Sequence, residues 1–326
     1  MQGKEASEQE TKAKCNVGID VSKDWLDVHA LPSEERLRVP NTCQGVRQLK
    51  RWFKRLDLAL VVVEATGRWH RHVQRSLAAS AIPVAVVDPF RVRMFAKAQG
   101  ILAKTDRLDA RVLASFAAMM MPSVRPPAPQ ALAELAELVT ARMSAVEAQT
   151  ALKNQRAAAT MNFLQRQLDR RIERGDQDIA VLDAAIVKRI KADEGLARRY
   201  AILNSIPSFG FVTAAILIAC LAELGSIGAK QSGMLAGLAP IADQSGKREG
   251  ARVIFGGRPR VRRILYLAAL TAARFNADMH VFYKRLRAAG KPPKAAVIAV
   301  ARKLVVLANT LISQDRMWQP QAPKFA

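Results

Sequence analysis

Residues 16–30, NVGIDVSKDWLDVHA, have the pattern of two short strands joined by a tight turn. The run at residues 17–20 is short and apolar, residues 22–24 are polar, and apolar and polar side chains alternate over residues 25–30. A third short strand at residues 36–39 would complete a meander. The sequence therefore predicts that the fold opens on neighbouring antiparallel strands.

Helices and strands are expected to alternate after this meander. Apolar residues recur at helical spacing over residues 46–53, and the run LALVVVEATG at residues 58–67 has the composition of a buried strand. A helix near residues 69–80, a strand at 82–88 and helical segments over 90–121 are predicted next. A meander followed by such alternation predicts a mixed α/β layer fold.

Prolines mark the end of this first domain, because the run RPPAP at residues 125–129 cannot continue a helix. Residues 128–200 are rich in Ala, Leu, Arg and Gln and carry two apolar stripes, with a break expected at Gly175. The stripes predict two long helices, either an antiparallel pair or an oligomerising coiled coil. The expected parts are a disordered polar extension at 1–15, an α/β domain at 16–127, the helical segment at 128–200 and a mainly helical domain at 201–326.

The charge of the chain favours polyanionic partners. Among 326 residues there are 51 Lys and Arg against 28 Asp and Glu, a formal net charge of +23. Residues 201–326 hold more than half of the excess, with 18 basic and five acidic residues. Half of all residues are hydrophobic, which argues against a disordered basic tail.

The cysteine content and the hydropathy of the sequence indicate in which cellular compartment the protein acts. Three cysteines without paired spacing favour neither a disulfide framework nor a cysteine-based zinc site. The first residues are polar and the longest apolar run, residues 211–221, is shorter than the roughly 20 residues of a membrane span. We therefore expect a cytoplasmic protein without a membrane partner.

Two carboxylates lie where apolar strands are predicted to end, Asp20 after the first strand and Glu64 after the buried strand. A second pair, Asp106 and Asp109 in KTDRLDA, is spaced three apart and shares one helix face. Four oxygen ligands from three segments suit Mg²⁺ or Mn²⁺. Singly, each has a structural explanation, since Asp20 could begin the turn, Glu64 could cap a helix and Asp106 could be an N-cap.

A second set of chemical groups lies in SGKREGARVIFGGRPRVRR, residues 245–263. Ser245 stands among cations that would stabilise an alkoxide or a phosphorane-like transition state, so it is a candidate nucleophile. A turn serine in a loop that binds a DNA backbone is the open alternative. The candidate nucleic-acid contacts are Lys247, Arg248, Arg252, Arg258, Arg260, Arg262 and Arg263.

The order Asp, Glu, Asp, Asp on this layout resembles the RNase H-like superfamily, in particular its RuvC-type branch, which cuts branched DNA. The motifs GIDVSKDWLDV, VVVEATG, KTDRLDA, LAGLAP, SGKREG and FGGRPRVRRILYLAAL also fall in a recognisable order within residues 16–312. In order and spacing they resemble the DEDD transposases of bacterial insertion sequences, the "one-ten" family, which includes the pilin-gene invertase Piv.

The resemblance implies a RuvC-like N-terminal domain, a coiled-coil segment and a C-terminal transposase domain. It also implies a bacterial recombinase, associated with the nucleoid when active, that uses a bridge RNA to choose donor and target DNA. At matching positions, Asp20, Glu64, Asp106 and Asp109 would form the catalytic metal-binding tetrad, and Ser245 would become covalently joined to DNA. The metal would be Mg²⁺, with Mn²⁺ as a substitute.

The four carboxylates and Ser245 lie far apart in sequence, and strand exchange involves two duplexes. We therefore expect a homo-oligomer, a dimer or a tetramer. Two other functions remain open at this point. One is a RuvC-like endonuclease that cuts branched DNA with metal-activated water, and the other is a non-catalytic nucleic-acid-binding protein.

Overall fold

The computed structural model describes residues 14–67, 69–101, 106–241, 244–245, 248–249 and 253–319, with the backbone alone at 106–108, 244–245 and 248–249. The chain divides between Ala128 and Pro129 into two compact units, each with its own core. Most of the predicted N-terminal extension and the predicted contacts Lys247 and Arg252 lie outside the described residues.

The N-terminal unit, in its described residues, has a five-stranded sheet and four helices. Its strands are β1 (Cys15–Val21), β2 (Trp25–Leu31), β3 (Arg36–Pro40), β4 (Leu58–Glu64) and β5 (Val84–Val87). Its helices are α1 (Cys43–Phe53), α2 (His70–Ala78), α3 (Pro89–Ala98) and α4 (Asp106–Met120). The predicted mixed α/β fold is confirmed.

The sheet is mixed, with strand order β3-β2-β1-β4-β5. β1, β2 and β3 pair antiparallel, whereas β4 pairs parallel with both β1 and β5. Side chains alternate between the two faces of a strand, and here both faces are covered by helices. One face packs Val17, Ile19 and Val61 with Leu49 of α1 and Leu77 of α2. The other packs Val62 and Val87 with Val92 of α3 and Leu113 and Phe116 of α4.

Gly18 allows α4 to lie directly on β1. A Cβ atom at Gly18 would lie 2.1 Å from the carbonyl oxygen of Ala110 and 2.4 Å from the backbone nitrogen of Ala114. No side chain larger than hydrogen fits against this helix backbone. The helix is therefore fixed on the sheet face opposite the one that α1 and α2 cover.

The C-terminal unit is mainly helical, as predicted. Its helices are α5 (Gln130–Ala158), α6 (Asn162–Lys191), α7 (Glu194–Asn204), α8 (Phe211–Cys220), α9 (Ala229–Leu235), α10 (Pro259–Phe275), α11 (Ala277–Ala288) and α12 (Pro293–Ser313). Its short strands are β6 (Pro240–Ile241), β7 (Gln244–Ser245), β8 (Arg248–Glu249) and β9 (Val253–Ile254). One hydrophobic core joins α5 and α6 to the later helices.

The two long helices form the antiparallel pair, one of the two predicted arrangements, and ion pairs such as Arg156–Asp169 at 2.7 Å link them. The break expected at Gly175 is wrong. The chain turns at residues 159–161, and Gly175 lies inside α6. A Cβ there would be 3.7 Å from the side chain of Gln149 on α5, so the missing side chain leaves room for the partner helix.

Helix α12 is long and apolar enough to cross a membrane by length and composition, yet half of its apolar window is buried within the protein. Leu304, Val305 and Ala308 are fully buried in the core that α12 shares with α7, α9, α10 and α11. Its apolar composition is therefore explained by its place at the centre of the C-terminal unit.

Candidate active site

Three carboxylates lie side by side on the sheet face that α4 covers. Asp20 of β1 pairs with Asp27 of β2 in the antiparallel register. Ile19 pairs with Val63 of β4, and the next residues along these two parallel strands are Asp20 and Glu64. Because neighbours on one face of a sheet lie about 5 Å apart, Asp20 is adjacent to both Asp27 and Glu64.

This carboxylate row, Asp27, Asp20 and Glu64, lies where the parallel strands β1 and β4 end. Asp20 and Glu64 are half-buried, and Asp27 is 9% exposed. In open sheets with parallel strands, ligands bind beyond the carboxyl ends of those strands. The two acids that the sequence predicts at strand ends are thus brought together, and Asp27 joins them.

The other two predicted acids lie on α4. Asp109 is half-buried and precedes Ala110, whose carbonyl packs against Gly18 of β1. Asp106 is the first residue of the helix, and only its backbone is described. Because α4 rests on the same sheet face as the carboxylate row, both acids belong to the element that covers that row.

The carboxylate oxygens of these acids are suitable ligands for a hard divalent cation. Mg²⁺ is commonly bound through one or two carboxylates while it keeps several waters, and Asp20 and Glu64 supply two adjacent carboxylates at a half-buried position. Among the side chains that the structure describes, no three His, Cys, Asp or Glu are grouped closely enough to hold a metal ion. The side chain of Asp106 lies outside that set.

Asn41 ties together the loops that follow the two carboxylate-bearing strands. Its side-chain amide donates to the carbonyl oxygen of Ser22, in the loop after β1, at 3.0 Å. The same amide nitrogen donates to the carbonyl oxygen of Trp69, in the loop after β4, at 3.3 Å. Sequence reasoning missed Asn41 because its partners are 19 and 28 residues away.

His70 begins α2, six residues after Glu64 along the chain. Its side chain is half-buried, and burial lowers the pKa of His70. The imidazole is therefore neutral at pH 7 and can either donate or accept a proton in a hydrogen bond.

Ser245 lies in the C-terminal unit, on a hairpin made of two short antiparallel ladders, β6 with β9 and β7 with β8. In the inner ladder Ser245 pairs with Arg248. Ile241 and Val253 pair in the outer ladder and are 47% and 57% exposed. The outer ladder of the hairpin is therefore exposed to solvent.

Two glycines define the base of this hairpin. Gly237 and Gly257 have φ angles of +68° and +64°, which side chains disfavour. A Cβ at Gly257 would lie 2.3 Å from the backbone nitrogen of Gly237. The two backbone segments that lead into and out of the hairpin are thus in direct contact.

Two of the predicted nucleic-acid contacts are bonded within the unit. Arg258 donates to both carboxylate oxygens of Glu223, at 2.5 and 2.7 Å, and to the carbonyl of Cys220 at 2.8 Å. The hydrogen bond with Glu223 raises the pKa of Arg258. Arg262 donates to two carbonyl oxygens at the hairpin base, at 3.0 and 3.3 Å. Both guanidinium groups brace the hairpin, and their contact with nucleic acid stays a prediction.

The remaining predicted contacts differ in their surroundings. Arg260 and Arg263 are exposed on the first turns of α10. Arg263 lies 3.4 Å from Glu147, and more than half of each of these side chains is exposed. Such a surface pair contributes little stability, so it can give way to a phosphate. Arg248 is described by its backbone alone.

Two family models of transposases match the chain. A transposase model for the DEDD enzymes of IS110 matches residues 17–162. A second, described as "Transposase IS116/IS110/IS902 family", matches residues 200–284. The first range includes the carboxylate row and α4, and the second includes the hairpin with Ser245.

Similar proteins extend the match over nearly the whole chain. The pilin gene-inverting protein of Moraxella bovis is 27% identical over 315 residues, which cover 93% of this chain and 97% of that protein. An uncharacterised 42 kDa protein of insertion element IS900 from Mycobacterium paratuberculosis is 30% identical over 154 residues, 44% of this chain and 36% of that protein. With motifs, fold and both family models in agreement, the chain belongs to the IS110 family of DEDD transposases and recombinases, which are DNA-processing enzymes.

Proposed function

We propose that this chain is a Mg²⁺-dependent recombinase of an insertion sequence that is guided by a bridge RNA and joins DNA to Ser245. The observation that carries the proposal is the adjacency of Asp20 and Glu64 beneath the helix that bears Asp106 and Asp109. The strand order, three antiparallel strands followed by two parallel ones, supports a RuvC-like fold for this unit.

The carboxylates would hold the divalent ion. Asp20 and Glu64 would provide two ligands from neighbouring strands, and Asp106 and Asp109 would add ligands from α4. When bound, such an ion stabilises negative charge that develops on phosphoryl oxygens. Like charges held about 5 Å apart repel each other, so a cation that neutralises them also stabilises the row.

Ser245 would act as the nucleophile. Its Oγ would form a bond to the scissile phosphorus while the bond from phosphorus to the 3′ oxygen breaks. The serine proton passes to solvent, and the leaving oxygen takes up a proton as a free 3′ hydroxyl. Rejoining is the reverse step with the 3′ hydroxyl of another strand. The fixed base of the hairpin favours this chemistry, because misplacement of a reacting group slows reaction steeply.

The proposed partners are donor DNA, target DNA and the guide RNA. The 18 basic and five acidic residues of the last 126 suit contacts with nucleic-acid backbones, which is how proteins hold a guide–target duplex. The protein would act in the bacterial cytoplasm, at the nucleoid, as a dimer or tetramer, since two duplexes exchange strands.

The similarity to a protein named for gene inversion supports recombination over cleavage alone. Inverting a segment of DNA requires that strands be cut and also rejoined. A covalent protein–DNA link retains the energy of the broken phosphodiester bond for the rejoining step.

Trapping of the covalent intermediate tests this function. With a DNA substrate, guide RNA and Mg²⁺, the wild-type protein should give a protein–DNA adduct that survives denaturation, and Ser245→Ala should give none. Ser226→Ala, which removes an exposed hydroxyl from the same unit, is the matched control and should form the adduct. If Ser245→Ala still cuts DNA and leaves unlinked ends, the protein is instead a nuclease that uses metal-activated water.

A further inference from the structure

Trp25 and Arg38 form an exposed stacked pair beside the carboxylate row. The Arg38 guanidinium carbon lies 5.0 Å from the centroid of the Trp25 indole, a cation–π arrangement. Trp25 is 43% exposed, and the side chain of Arg38 is 53% exposed. A single exposed apolar side chain is ordinary, and what distinguishes Trp25 is the guanidinium group stacked on it beside the proposed metal ligands.

The register places this pair on the face that carries the proposed metal ligands. Leu26 and Val28 belong to the core on the opposite face, so Trp25 and Asp27 lie on the face of Asp20. Trp25 is the diagonal neighbour of Asp20 across β1 and β2, and such neighbours lie about 7–8 Å apart. One nucleotide can span that separation.

Hydrogen bonds fix the backbone of Trp25, and Arg38 lies against its ring, before any ligand binds. The Ser22 hydroxyl donates to the carbonyl of Trp25 at 3.0 Å and accepts from its backbone N–H at 3.0 Å. Asn41 in turn donates to the carbonyl of Ser22. Arg38 is oriented from the other side by Asp27, whose carboxylate lies 3.6 Å away. A ring ordered in advance loses little conformational entropy on binding.

Charge favours a nucleic-acid strand at this position. A cleft of about 340 Å³ lies between the sheet and α4 and is lined by Arg36, Arg38, Asp27 and His29, among others. Arg36 and Arg38 lie on β3, the edge strand of the sheet, so positive charge follows the path from Trp25 towards that edge. Aromatic and guanidinium planes stack on unpaired bases without regard to sequence.

We propose that Trp25 and Arg38 are a stacking platform for an unpaired base of the substrate DNA, next to the phosphate that is cut. This inference rests on the proposed function, because the strand nearest Asp20 is then the DNA strand that reacts. The base stacks on the open face of the indole, and Arg36 and Arg38 contact the adjoining backbone.

Fluorescence of short single-stranded DNA with 2-aminopurine at successive positions tests the platform. All proteins carry Asp20→Asn, so that the DNA stays uncut. Addition of Trp25→Ala should weaken binding about five- to a hundredfold and abolish quenching of the base at one position, because stacking is lost. Trp25→Phe should retain most of both effects, since it keeps an aromatic ring.

The controls separate stacking from charge and from RNA binding. Arg38→Gln should weaken DNA binding more than Arg51→Gln, which removes the same charge from an exposed position on α1, across the sheet. Unchanged DNA binding and quenching in Trp25→Ala would overturn the platform, as would a loss confined to RNA of the same sequence. Either result leaves the adduct test of Ser245 untouched, so the two proposals fail separately.

Discussion

Asp20→Asn should lower strand exchange and adduct formation about a hundred- to a thousandfold without loss of the fold. The substitution removes one negative charge from the centre of the row in which Asp27 and Glu64 flank Asp20. Electrostatic stabilisation of a developing phosphoryl charge contributes on this order to the rate. DNA binding should persist, since it depends on the basic residues.

The stability of the same variant distinguishes a catalytic acid from a structural one. Like charges on adjacent strands repel, so loss of one should leave Tm within about 3 °C of wild type or raise it. Asp57→Asn is the matched control, because Asp57 is exposed and precedes β4 at the opposite end from Glu64. Full strand exchange by Asp20→Asn would contradict a catalytic role for Asp20, whereas nucleic-acid binding without strand exchange in the wild-type protein would support a non-catalytic nucleic-acid-binding protein instead.

Gly18→Ala should destabilise the N-terminal unit by about 3 kcal/mol and lower its Tm by about 10 °C. The new methyl would meet the backbone of α4 at 2.1 Å, at the carbonyl of Ala110, and at 2.4 Å, at the nitrogen of Ala114. Neither atom belongs to a flexible side chain, so the helix or the strand has to move. Differential scanning calorimetry measures the change.

The same substitution should reduce activity about a hundredfold at temperatures where the protein remains folded. A movement of α4 shifts Asp106 and Asp109 relative to the strands, and displacement of about 1 Å at a reacting site has an effect of this size. Gly210→Ala is the control, because its added carbon would have no atom of a residue beyond its chain neighbours within 4 Å, and its φ is −98°. Wild-type stability in Gly18→Ala would contradict the packing of α4 on β1.

The strands and the two strand-end acids could be predicted because their signals are local. Short apolar runs bounded by turn residues indicate β1 and β4, and each run ends in a carboxylate. The turn between β1 and β2 also implies the pairing of Asp20 with Asp27, so Asp27 could have been found from the hairpin register. It was missed because the alternation of β2 was interpreted only as a strand signal.

The features that the sequence did not predict depend on contacts between residues that are distant along the chain. Asn41 acts through carbonyls far away in sequence, and Arg258 binds Glu223 across 35 residues. Gly175 was expected to end a helix because glycine disfavours helices by about 1 kcal/mol. In the structure Gly175 is helical, lies inside α6 and packs beside Gln149 of α5. A helix of 30 residues tolerates the cost of one glycine.

The most direct test of the proposed metal site is to map the position of the bound metal on the protein itself. Fe²⁺ can occupy Mg²⁺ sites and, with peroxide and a reductant, cuts nearby polypeptide backbone. We predict cleavage at the ends of β1 and β4 and near the start of α4, suppressed by excess Mg²⁺ and lost in Asp20→Asn but not in Asp57→Asn. Cleavage elsewhere, or an unchanged pattern in Asp20→Asn, would contradict a metal held by Asp20, Glu64 and the acids of α4.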